Sequence, residues 1–338
     1  MAELTTAVWE VSERDFPAQG GLEAQLRFLV RYAILAPSVK NTQPWIFKVG
    51  GDTIRIYADL ERRLAVSDPD CRELFISVGC ALENLVVAAE HFGLRFDVVY
   101  FPQGEQDELA ALITFTPSGA RSFSAPRAAI RFDALLRRHN DNGPFRQDAV
   151  RPVLREQLQA CAFEPDLRLD LSDDRLFRRW VDELTTEADR AEFANPKFRE
   201  ELGRLIGSGT FGVGGLVSQV ARLLVSRLDI GDSVAQQDRA IIESAPVLGL
   251  VLATEDTRLV HVRTGQLFER VWLTATSMGL SVHPMSQTMR IPELRAAVAE
   301  LLPEGGWTPQ HLFRLGYSAR TGRPRLTPRR PVTDVLGG

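Results

Sequence analysis

The sequence reads Ala36-Pro37-Ser38-Val39-Lys40-Asn41-Thr42-Gln43-Pro44-Trp45 at the end of its first long apolar segment. Helical spacing of apolar residues over 22–36 ends at Pro37, and Pro44-Trp45 opens a segment typical of a strand. The loop between them carries hydroxyl and amide side chains, which offer both hydrogen-bond donors and acceptors. Such a loop suits a ligand with a polar ring edge and a hydroxylated chain. The plainer alternative is a capped turn with Trp45 in the core.

Two arginine-rich stretches follow further along the chain. The first is Arg137-Arg138-His139-Asn140, beside the turn Asp141-Asn142-Gly143, and the second is Thr327-Pro328-Arg329-Arg330-Pro331. Guanidinium groups match phosphate oxygens in a bidentate geometry, so either stretch can clamp a phosphate. The alternatives are a solvated basic turn and a surface tail.

Apolar periodicity predicts alternating helices and strands on both sides of a linker-like segment at 117–130. Before the linker we expect helices at 22–36 and 71–92, a hairpin over 45–57 and strands at 94–101 and 109–115. After it we expect helices at 148–162, 173–206, 216–228, 235–244, 264–279 and 293–302, and strands at 167–171, 246–254, 280–283 and 312–315. The glycine-rich segment 207–215 lacks the spacing of a phosphate loop and is predicted to be a plain loop or lid edge.

The chain also contains an internal repeat. When it is shifted by 186 residues, Gly79, Glu83, Ala89, Gly93 and Leu94 fall on identical residue types, and the apolar positions between them match. Both segments read as a helix that ends in Gly-Leu and enters a strand. A chance match between amphipathic helices is the alternative, but the two-unit layout favours a duplicated α+β unit.

Composition excludes several classes of function. The 338 residues carry a net charge of −4, which argues against general nucleic-acid binding. Cys71, Cys80 and Cys161 are widely spaced and odd in number, so neither a disulfide framework nor a metal site is expected. We see no signal peptide and no membrane span, and therefore expect a cytoplasmic protein without a membrane partner.

Taken together, the three polar stretches resemble the FMN-dependent nitroreductase family. That family has an Ala-Pro-Ser…Asn-x-Gln-Pro-Trp loop after its first long helix, an arginine turn and a C-terminal arginine. Residues 272–280 and 284–287 look like its late helix and flavin-side loop, and 312–317 resembles its last core strand. The resemblance covers most of 22–336 and is closest to a double-length subgroup that includes dormancy-associated mycobacterial proteins.

The resemblance implies an α+β, three-layer fold in which two tandem halves form a single-chain pseudo-dimer. We expect an N-terminal arm at 1–21, a first half at 22–130 and a second half at 131–338. The second half would contain a lid-like insertion at about 172–245 and the C-terminal tail. Ordinary members are intertwined dimers, so a fused chain would be a monomer or pair again as a homodimer.

The resemblance also implies one composite site for FMN, with NAD(P)H as electron donor. The mirror site should be lost, because the second half has no equivalent of the Asn-x-Gln-Pro-Trp loop. No catalytic side chain is expected, since the flavin carries the chemistry. The implied cofactor-binding residues are Pro37, Ser38, Asn41, Thr42, Gln43, Arg137, Arg138, His139, Asn140, Pro284, Met285, Ser286, Gln287, Arg329 and Arg330.

The implied activity is that of an oxidoreductase that reduces nitroaromatics, quinones or other electron-poor small molecules by ping-pong hydride transfer through flavin N5. Two alternatives remain at this point: an FMN-sequestering protein with a lid-closed site, or a flavin-dependent biosynthetic dehydrogenase. The subgroup often has arginine where Asn142 stands. Unless Arg137 or an arginine of the tail substitutes, loss of one charge-assisted hydrogen bond predicts FMN binding weaker by ~10–100-fold.

Overall fold

The computed structural model describes residues 4–117, 126–212, 215–322 and 326–337. In the first half, four antiparallel strands form a sheet of order β1-β2-β4-β3, with helices against one face. Its elements are α1 (Leu22–Ala33), β1 (Trp45–Gly50), β2 (Thr53–Ala58), α2 (Arg72–His91), β3 (Leu94–Tyr100), β4 (Leu109–Pro117) and α3 (Pro126–Leu135). The predicted hairpin and long helices are confirmed.

The linker prediction for 117–130 is wrong over 126–130. Those residues begin α3, which packs on α2 and runs across the proposed boundary at residue 130. The remaining part, 118–125, lies outside the described residues.

The second half has the same order of helices and strands, with a four-helix insertion. Its elements are β5 (Phe145–Arg146), α4 (Pro152–Gln159), β6 (Leu167–Ser172), α5 (Arg175–Ala194), α6 (Pro196–Gly207), α7 (Gly215–Arg227), α8 (Gly231–Ser244), β7 (Val247–Ala253), α9 (Arg258–Ser277), β8 (Ser281–Pro284), α10 (Gln287–Arg290), α11 (Pro292–Glu300), β9 (Thr308–Ser318) and α12 (Val332–Val335). Strand β9 pairs with β7 and β8, and β7 pairs with β6, all antiparallel. The order β6-β7-β9-β8 therefore repeats β1-β2-β4-β3, and the α+β class is confirmed.

Helices α2 and α9 cross at the centre of the molecule, with one sheet on each side of the pair. The crossing point is formed by Gly79 and Gly265, the two glycines related by the 186-residue shift. A Cβ on Gly79 would overlap the Val262 carbonyl oxygen, and a Cβ on Gly265 would overlap that of Ile76. Only glycine permits this approach. Gly93 and Gly279, also related by this shift, follow the ends of the two helices with φ of 75° and 76°. The two copies of the repeat therefore share the same backbone conformation at this point.

Helix α2 is also long and apolar enough to cross a membrane by length and composition, but 89 % of the relevant window is buried inside the fold. Its burial against α9, α1 and the first sheet accounts for that composition.

The tail crosses from the second half to the first. Arg329 pairs with Thr5, and Leu336 forms a parallel bridge with Phe47 of β1. The insertion α5–α8 lies over the junction of the halves and is hydrogen-bonded to the first half through Glu201 and Thr210. Glu201 of α6 accepts hydrogen bonds from the Val66 and Ser67 amides at 3.0 and 3.1 Å, and Asn41 Nδ2 donates to the Thr210 carbonyl at 2.7 Å.

Candidate functional site

A cavity of about 300 Å³ lies where the 37–41 loop, the tail and the α2–α9 pair meet. This is the lower end of the range for sites that hold a drug-sized ligand. The wall includes ten of the fifteen predicted residues: Pro37, Ser38, Asn41, Arg138, His139, Asn140, Pro284, Ser286, Gln287 and Arg329. Residues from both halves therefore share one wall.

The loop before β1 has an unusual backbone. Lys40, Asn41 and Gln43 have φ of 45°, 56° and 53°, in the left-handed region that costs a non-glycine residue ~1–3 kcal/mol. Ser38 Oγ accepts a hydrogen bond from the Gln43 amide at 2.9 Å, and Ser77 Oγ accepts one from the Val39 amide at 3.0 Å. These bonds hold the loop in a conformation that turns Asn41 toward the tail and the insertion.

Two buried arginines, one from each predicted clamp, meet at the end of α1. Arg138 Nη2 and Arg329 Nη2 donate to the Leu35 carbonyl oxygen at 2.8 and 3.2 Å. The Arg138 guanidinium also lies 4.6 Å from the centroid of Trp272, and that of Arg329 lies 5.1 Å from the centroid of Trp9. Both side chains are thus held in place without a ligand.

Positive charge exceeds negative charge at this pair. Glu269 Oε1 lies 3.1 Å from Arg138 Nε, and burial raises the pKa of the Glu269 carboxyl to about 7. Burial, followed by repulsion from Arg138, lowers the pKa of Arg329 to about 9. The Nε atom of Arg329 is buried without a hydrogen-bond partner. Two guanidinium groups with one weakly acidic carboxyl favour an added anion, and their geometry suits a phosphate.

Asn41 links this pair to the insertion. Its Oδ1 accepts from Arg329 Nη1 at 3.0 Å, and its Nδ2 donates to the carbonyls of Thr210 and Pro328 at 2.7 and 3.0 Å. Both N–H donors of the Asn41 side-chain amide are used in these bonds, so its role is to hold Arg329 and the insertion in place.

Gln43, Thr42 and Arg330 do not line the cavity. Gln43 Oε1 accepts from the Arg330 amide at 2.7 Å, and Arg330 Nη1 donates to the carbonyls of Gln43 and Trp45 at 3.1 and 3.2 Å. Thr42 Oγ1 donates to the Val39 carbonyl at 3.0 Å. Gln43 and Arg330 thus attach the tail to the first half, whereas Thr42 closes its own loop.

Arg137 and Met285 are also absent from the wall. Arg137 is exposed and its Nε donates to the Asp133 carbonyl of α3 at 3.2 Å. Met285 packs into a second hydrophobic cluster formed by β7, β9 and the insertion. In the arginine turn, therefore, Arg138 faces the cavity and Arg137 faces solvent.

Asn142 is exposed and lies outside the cavity wall. An asparagine at this position therefore removes no guanidinium group from the wall. The neighbouring Asp141 points into its own turn and accepts from the Gly143 amide at 3.1 Å. Burial acts to raise the pKa of Asp141, but hydrogen bonds from Ser318 and Gly143 outweigh it and lower that pKa.

Six polar wall residues were not among the predicted site residues: Lys40, Glu73, Ser77, Arg290, His311 and Thr327. Lys40 Nζ donates to Ser67 Oγ at 2.9 Å, and burial, followed by repulsion from Arg290, lowers the pKa of Lys40 to about 7. Burial lowers the pKa of His311 to about 4, and both of its ring nitrogens are buried without a partner. Lys40 lies inside the quoted loop and could have been found there, whereas nothing in the sequence of β9 distinguishes His311.

Gln287 connects the wall to a carboxyl pair within the insertion. Its Nε2 donates to Asp238 Oδ2 at 2.9 Å, and the side chains of Asp238 and Asp189 are hydrogen-bonded to each other. Burial, followed by repulsion from Asp238, raises the pKa of Asp189 to about 8. The folded protein therefore keeps this proton to a higher pH than the unfolded chain does.

Binding of this proton adds to the free energy of unfolding. The full contribution is present below pH 3.8, the ordinary aspartate pKa, and it is lost as the pH rises through about 8. We expect Asp189→Asn, which cannot ionise, to gain stability relative to wild type across this window. The difference in Tm, variant minus wild type, should increase by roughly 3 °C or more between pH 5 and pH 8 in thermal unfolding. Asp232→Asn, at an exposed carboxyl of α8, is the control. A difference in Tm that does not change with pH would contradict the shared proton.

The mirror position of the second half is filled by protein. Glu83, the repeat partner of Glu269, lies 3.0 Å from Arg270 Nε. Arg270 Nη1 donates to the Cys161 carbonyl at the end of α4 at 2.9 Å and to Glu164 Oε1 at 3.0 Å. Arg270 thus makes contacts like those of Arg138 at the end of α1, but with two carboxylates. Burial acts to lower the pKa of Arg270, but Glu83 and Glu164 outweigh it and raise that pKa. This cluster has no excess positive charge to offer an anion.

These observations describe a protein of α+β fold with a cavity that is lined by residues of two similar halves and by the buried pair Arg138 and Arg329. No family model matches the chain. Curated relatives match along its whole length. A Mycobacterium tuberculosis protein named "Putative NAD(P)H nitroreductase acg" is 28 % identical over 324 residues, which cover 92 % of this chain and 95 % of that protein. Another M. tuberculosis protein with a nitroreductase name is 29 % identical over 327 residues, covering 92 % and 90 %. The "Probable NAD(P)H nitroreductase PigM" of Serratia is 25 % identical over 339 residues, covering 93 % of each chain.

Solved structures are more distant. A nitroreductase with bound FMN from Desulfitobacterium hafniense is 13 % identical and covers 62 % of this chain and 97 % of its own, with a TM-score of 0.38. The NADPH:FMN oxidoreductase of Vibrio harveyi is 15 % identical and covers 62 % and 76 %, with a TM-score of 0.37. The full-length relatives confirm the resemblance to double-length nitroreductases that the sequence motifs indicated.

Proposed function

We propose that the cavity binds FMN and that the chain is an NAD(P)H-dependent oxidoreductase that reduces electron-poor small molecules such as nitroaromatics or quinones. The observation that carries this proposal is the pair Arg138 and Arg329, both bonded to the Leu35 carbonyl, with the Nε of Arg329 buried and unpartnered. The names of the full-length relatives support the reaction class.

The donor set fits a flavin mononucleotide. Arg138 and Arg329 would hold its phosphate, because two guanidinium groups with a single carboxyl beside them, Glu269 paired to Arg138, leave positive charge for a dianion. The mixed hydroxyl, amide and imidazole side chains of Ser38, Asn140 and His139 can hydrogen-bond a hydroxylated chain. Trp272 and Phe268 add flat apolar surface to the same wall.

When bound, the flavin supplies the hydride and electron transfer, and the protein binds, orients and shields it. The insertion would shield the flavin from water on one side, since Phe211 lies on the cavity wall and the Thr210 carbonyl is bonded to Asn41. Lys40 Nζ, with a pKa of about 7, can gain or lose a proton at neutral pH on the same wall. The filled mirror position, with Arg270 between Glu83 and Glu164, supports one flavin per chain.

One observation favours a second candidate function, an FMN-sequestering protein with little turnover. The insertion is hydrogen-bonded to the first half at both Ser67 and Asn41, and Phe211 lies over a cavity of only about 300 Å³. A cofactor would leave little room for a second molecule unless this segment moves.

NAD(P)H oxidation by the FMN-loaded protein, with p-benzoquinone or nitrobenzene as acceptor, distinguishes the two functions. We expect acceptor-dependent NADH or NADPH consumption well above that of the same concentration of free FMN. Phe211→Ala should raise the rate if the insertion limits access, whereas Leu176→Ala, on the exposed face of α5, should leave it unchanged. Turnover only in Phe211→Ala would favour sequestration, and no turnover in either protein would contradict the oxidoreductase.

A further inference from the structure

His311 of β9 lies on the cavity wall, and its polar atoms are not used by the fold. The residue is 3 % exposed, and neither ring nitrogen has a hydrogen-bond partner in the described part of the chain. Buried polar groups in folded proteins are nearly always hydrogen-bonded, so an exception calls for an explanation. Because this imidazole borders a cavity, a molecule that fills the cavity can supply the missing bond.

Burial keeps the imidazole of His311 neutral. It lowers the pKa of His311 to about 4, although the nearby Glu73 acts to raise that pKa. Arg72, which is ion-paired with Glu73, acts in the same direction as burial. A neutral imidazole has one N–H donor and one acceptor nitrogen. It therefore suits an uncharged ring edge with carbonyl and N–H groups better than it suits a phosphate.

A row of aromatic side chains connects His311 to the proposed phosphate position. The Arg138 guanidinium lies 4.6 Å from the centroid of Trp272. The centroids of Trp272 and Phe268 are 5.3 Å apart, and the imidazole centroid of His311 is 4.1 Å from that of Phe268. All four side chains line the cavity. Flat apolar surface thus lies between the guanidinium group and the imidazole.

Helix α2 shows the same order of the two ends. Cys80 is within electrostatic range of Arg138, and Glu73 is within range of His311. Both Cys80 and Glu73 lie on the wall, and two turns of α2, ~10 Å, separate them. The cavity therefore has an arginine end and a histidine end, with room for an extended ligand between them.

The histidine end is the polar end of the wall that the sequence did not reveal. Lys40 and Arg290 are within electrostatic range of each other, and Glu73 is within range of Arg290. These three side chains already have partners in the protein, which are Ser67, Glu192 and Arg72. Only the bonds of His311 are left for a ligand among these four wall residues, all of which the structure describes.

We propose that His311 binds the pyrimidine edge of the flavin ring and so fixes which way the ring lies in the cavity. This inference rests on the proposed function, which puts FMN in the cavity with its phosphate at Arg138 and Arg329. The pyrimidine edge has the carbonyl and N–H groups that a neutral imidazole can pair with. The dimethylbenzene edge has none and would leave the imidazole unpaired.

Flavin binding by a variant without the ring nitrogens tests the proposal. His311→Phe keeps a planar ring beside Phe268 and should weaken FMN binding ~3–10-fold, the effect of one lost hydrogen bond between uncharged groups. Riboflavin, which has the ring but no phosphate, should lose affinity by the same factor. Arg138→Ala, in contrast, should weaken FMN binding and leave riboflavin binding nearly unchanged. Equilibrium dialysis measures all four changes in Kd.

Two further variants serve as controls. His311→Gln keeps an amide N–H donor and should recover part of the affinity. His91→Phe should bind both flavins like wild type, because His91 also stacks on an aromatic ring, that of Phe132, but lies outside the wall. Thermal unfolding establishes that each variant is folded. A measurement on wild type needs no stable variant: the ring-nitrogen NMR signals of His311 should move when riboflavin is added.

The outcomes separate this inference from the proposed function. Wild-type affinity for both flavins in His311→Phe, or His311 signals that do not move, would overturn the inference alone. Weaker binding of FMN but not of riboflavin would also overturn it, because His311 would then act on the phosphate. Absence of flavin binding by wild type would overturn the inference and the proposed function together.

Discussion

Replacing Arg138 by alanine is expected to weaken FMN binding by roughly 10–100-fold, since a charge-assisted hydrogen bond to phosphate contributes ~1.5–3 kcal/mol. Arg138 is 3 % exposed, lies on the cavity wall and shares the Leu35 carbonyl with Arg329. Removing it halves the number of guanidinium groups at the proposed phosphate position. Equilibrium dialysis or fluorescence quenching of FMN measures the change in Kd.

The adjacent Arg137 provides a matched control, because it has the same side chain and is exposed with its Nε bonded to the Asp133 carbonyl. Arg137→Ala and Arg146→Ala should bind FMN like wild type. Arg138→Ala also leaves the buried Glu269 without its ion pair, which can destabilise the fold. The double variant Arg138→Ala/Glu269→Gln removes that charge and should show the same loss of FMN. Equal FMN affinity in all variants would contradict the clamp.

Gly79→Ala is expected to destabilise the protein by ~3 kcal/mol or more and to reduce its soluble yield sharply. The added methyl group would overlap the Val262 carbonyl oxygen of α9. Because the overlapping atom belongs to the backbone, no side-chain rotation can relieve it, and the central helix pair must separate. Thermal or denaturant unfolding measures the loss.

Gly305→Ala is the control, since nothing lies within 4 Å of the position of its Cβ. It should change the stability little. Gly265→Ala should behave like Gly79→Ala, because it meets the Ile76 carbonyl in the equivalent way. Wild-type stability in both crossing-point variants would contradict the described contact between α2 and α9.

The sequence predicted the local elements well because their causes are local. Pro37 and Gly93 mark the ends of α1 and α2 within a few residues, and the turn at Gly50-Gly51 marks the hairpin. Helix α9 was predicted from residue 264 but begins at Arg258, where Thr257 Oγ1 accepts from the Val260 amide. The helix α3 was missed, since its stability comes from packing on α2 and α9 and not from a distinctive pattern.

The site was predictable as a set of segments but not residue by residue. Motif spacing singled out the loop, the arginine turn and the tail, and the fold places all three at one cavity. Each of the two stretches contains two adjacent arginines. The packing of the turn and the tail against α1 and β1 determines which of the two faces the cavity. Arg138 and Arg329 face inward, while Arg330 binds the carbonyls of Gln43 and Trp45. His311 has no local signal because its exposure to the cavity follows from the pairing of β9.

The central claim is that this fused chain holds one flavin, between Arg138, Arg329 and the 37–41 loop. The most direct test is the visible absorption spectrum of the purified protein after addition of excess FMN and gel filtration. The account predicts retained bands near ~370 and ~450 nm that correspond to one flavin per chain, the cofactor that the protein would bind and orient. No retained flavin would contradict the proposed site, and two flavins per chain would contradict the filled mirror position at Arg270.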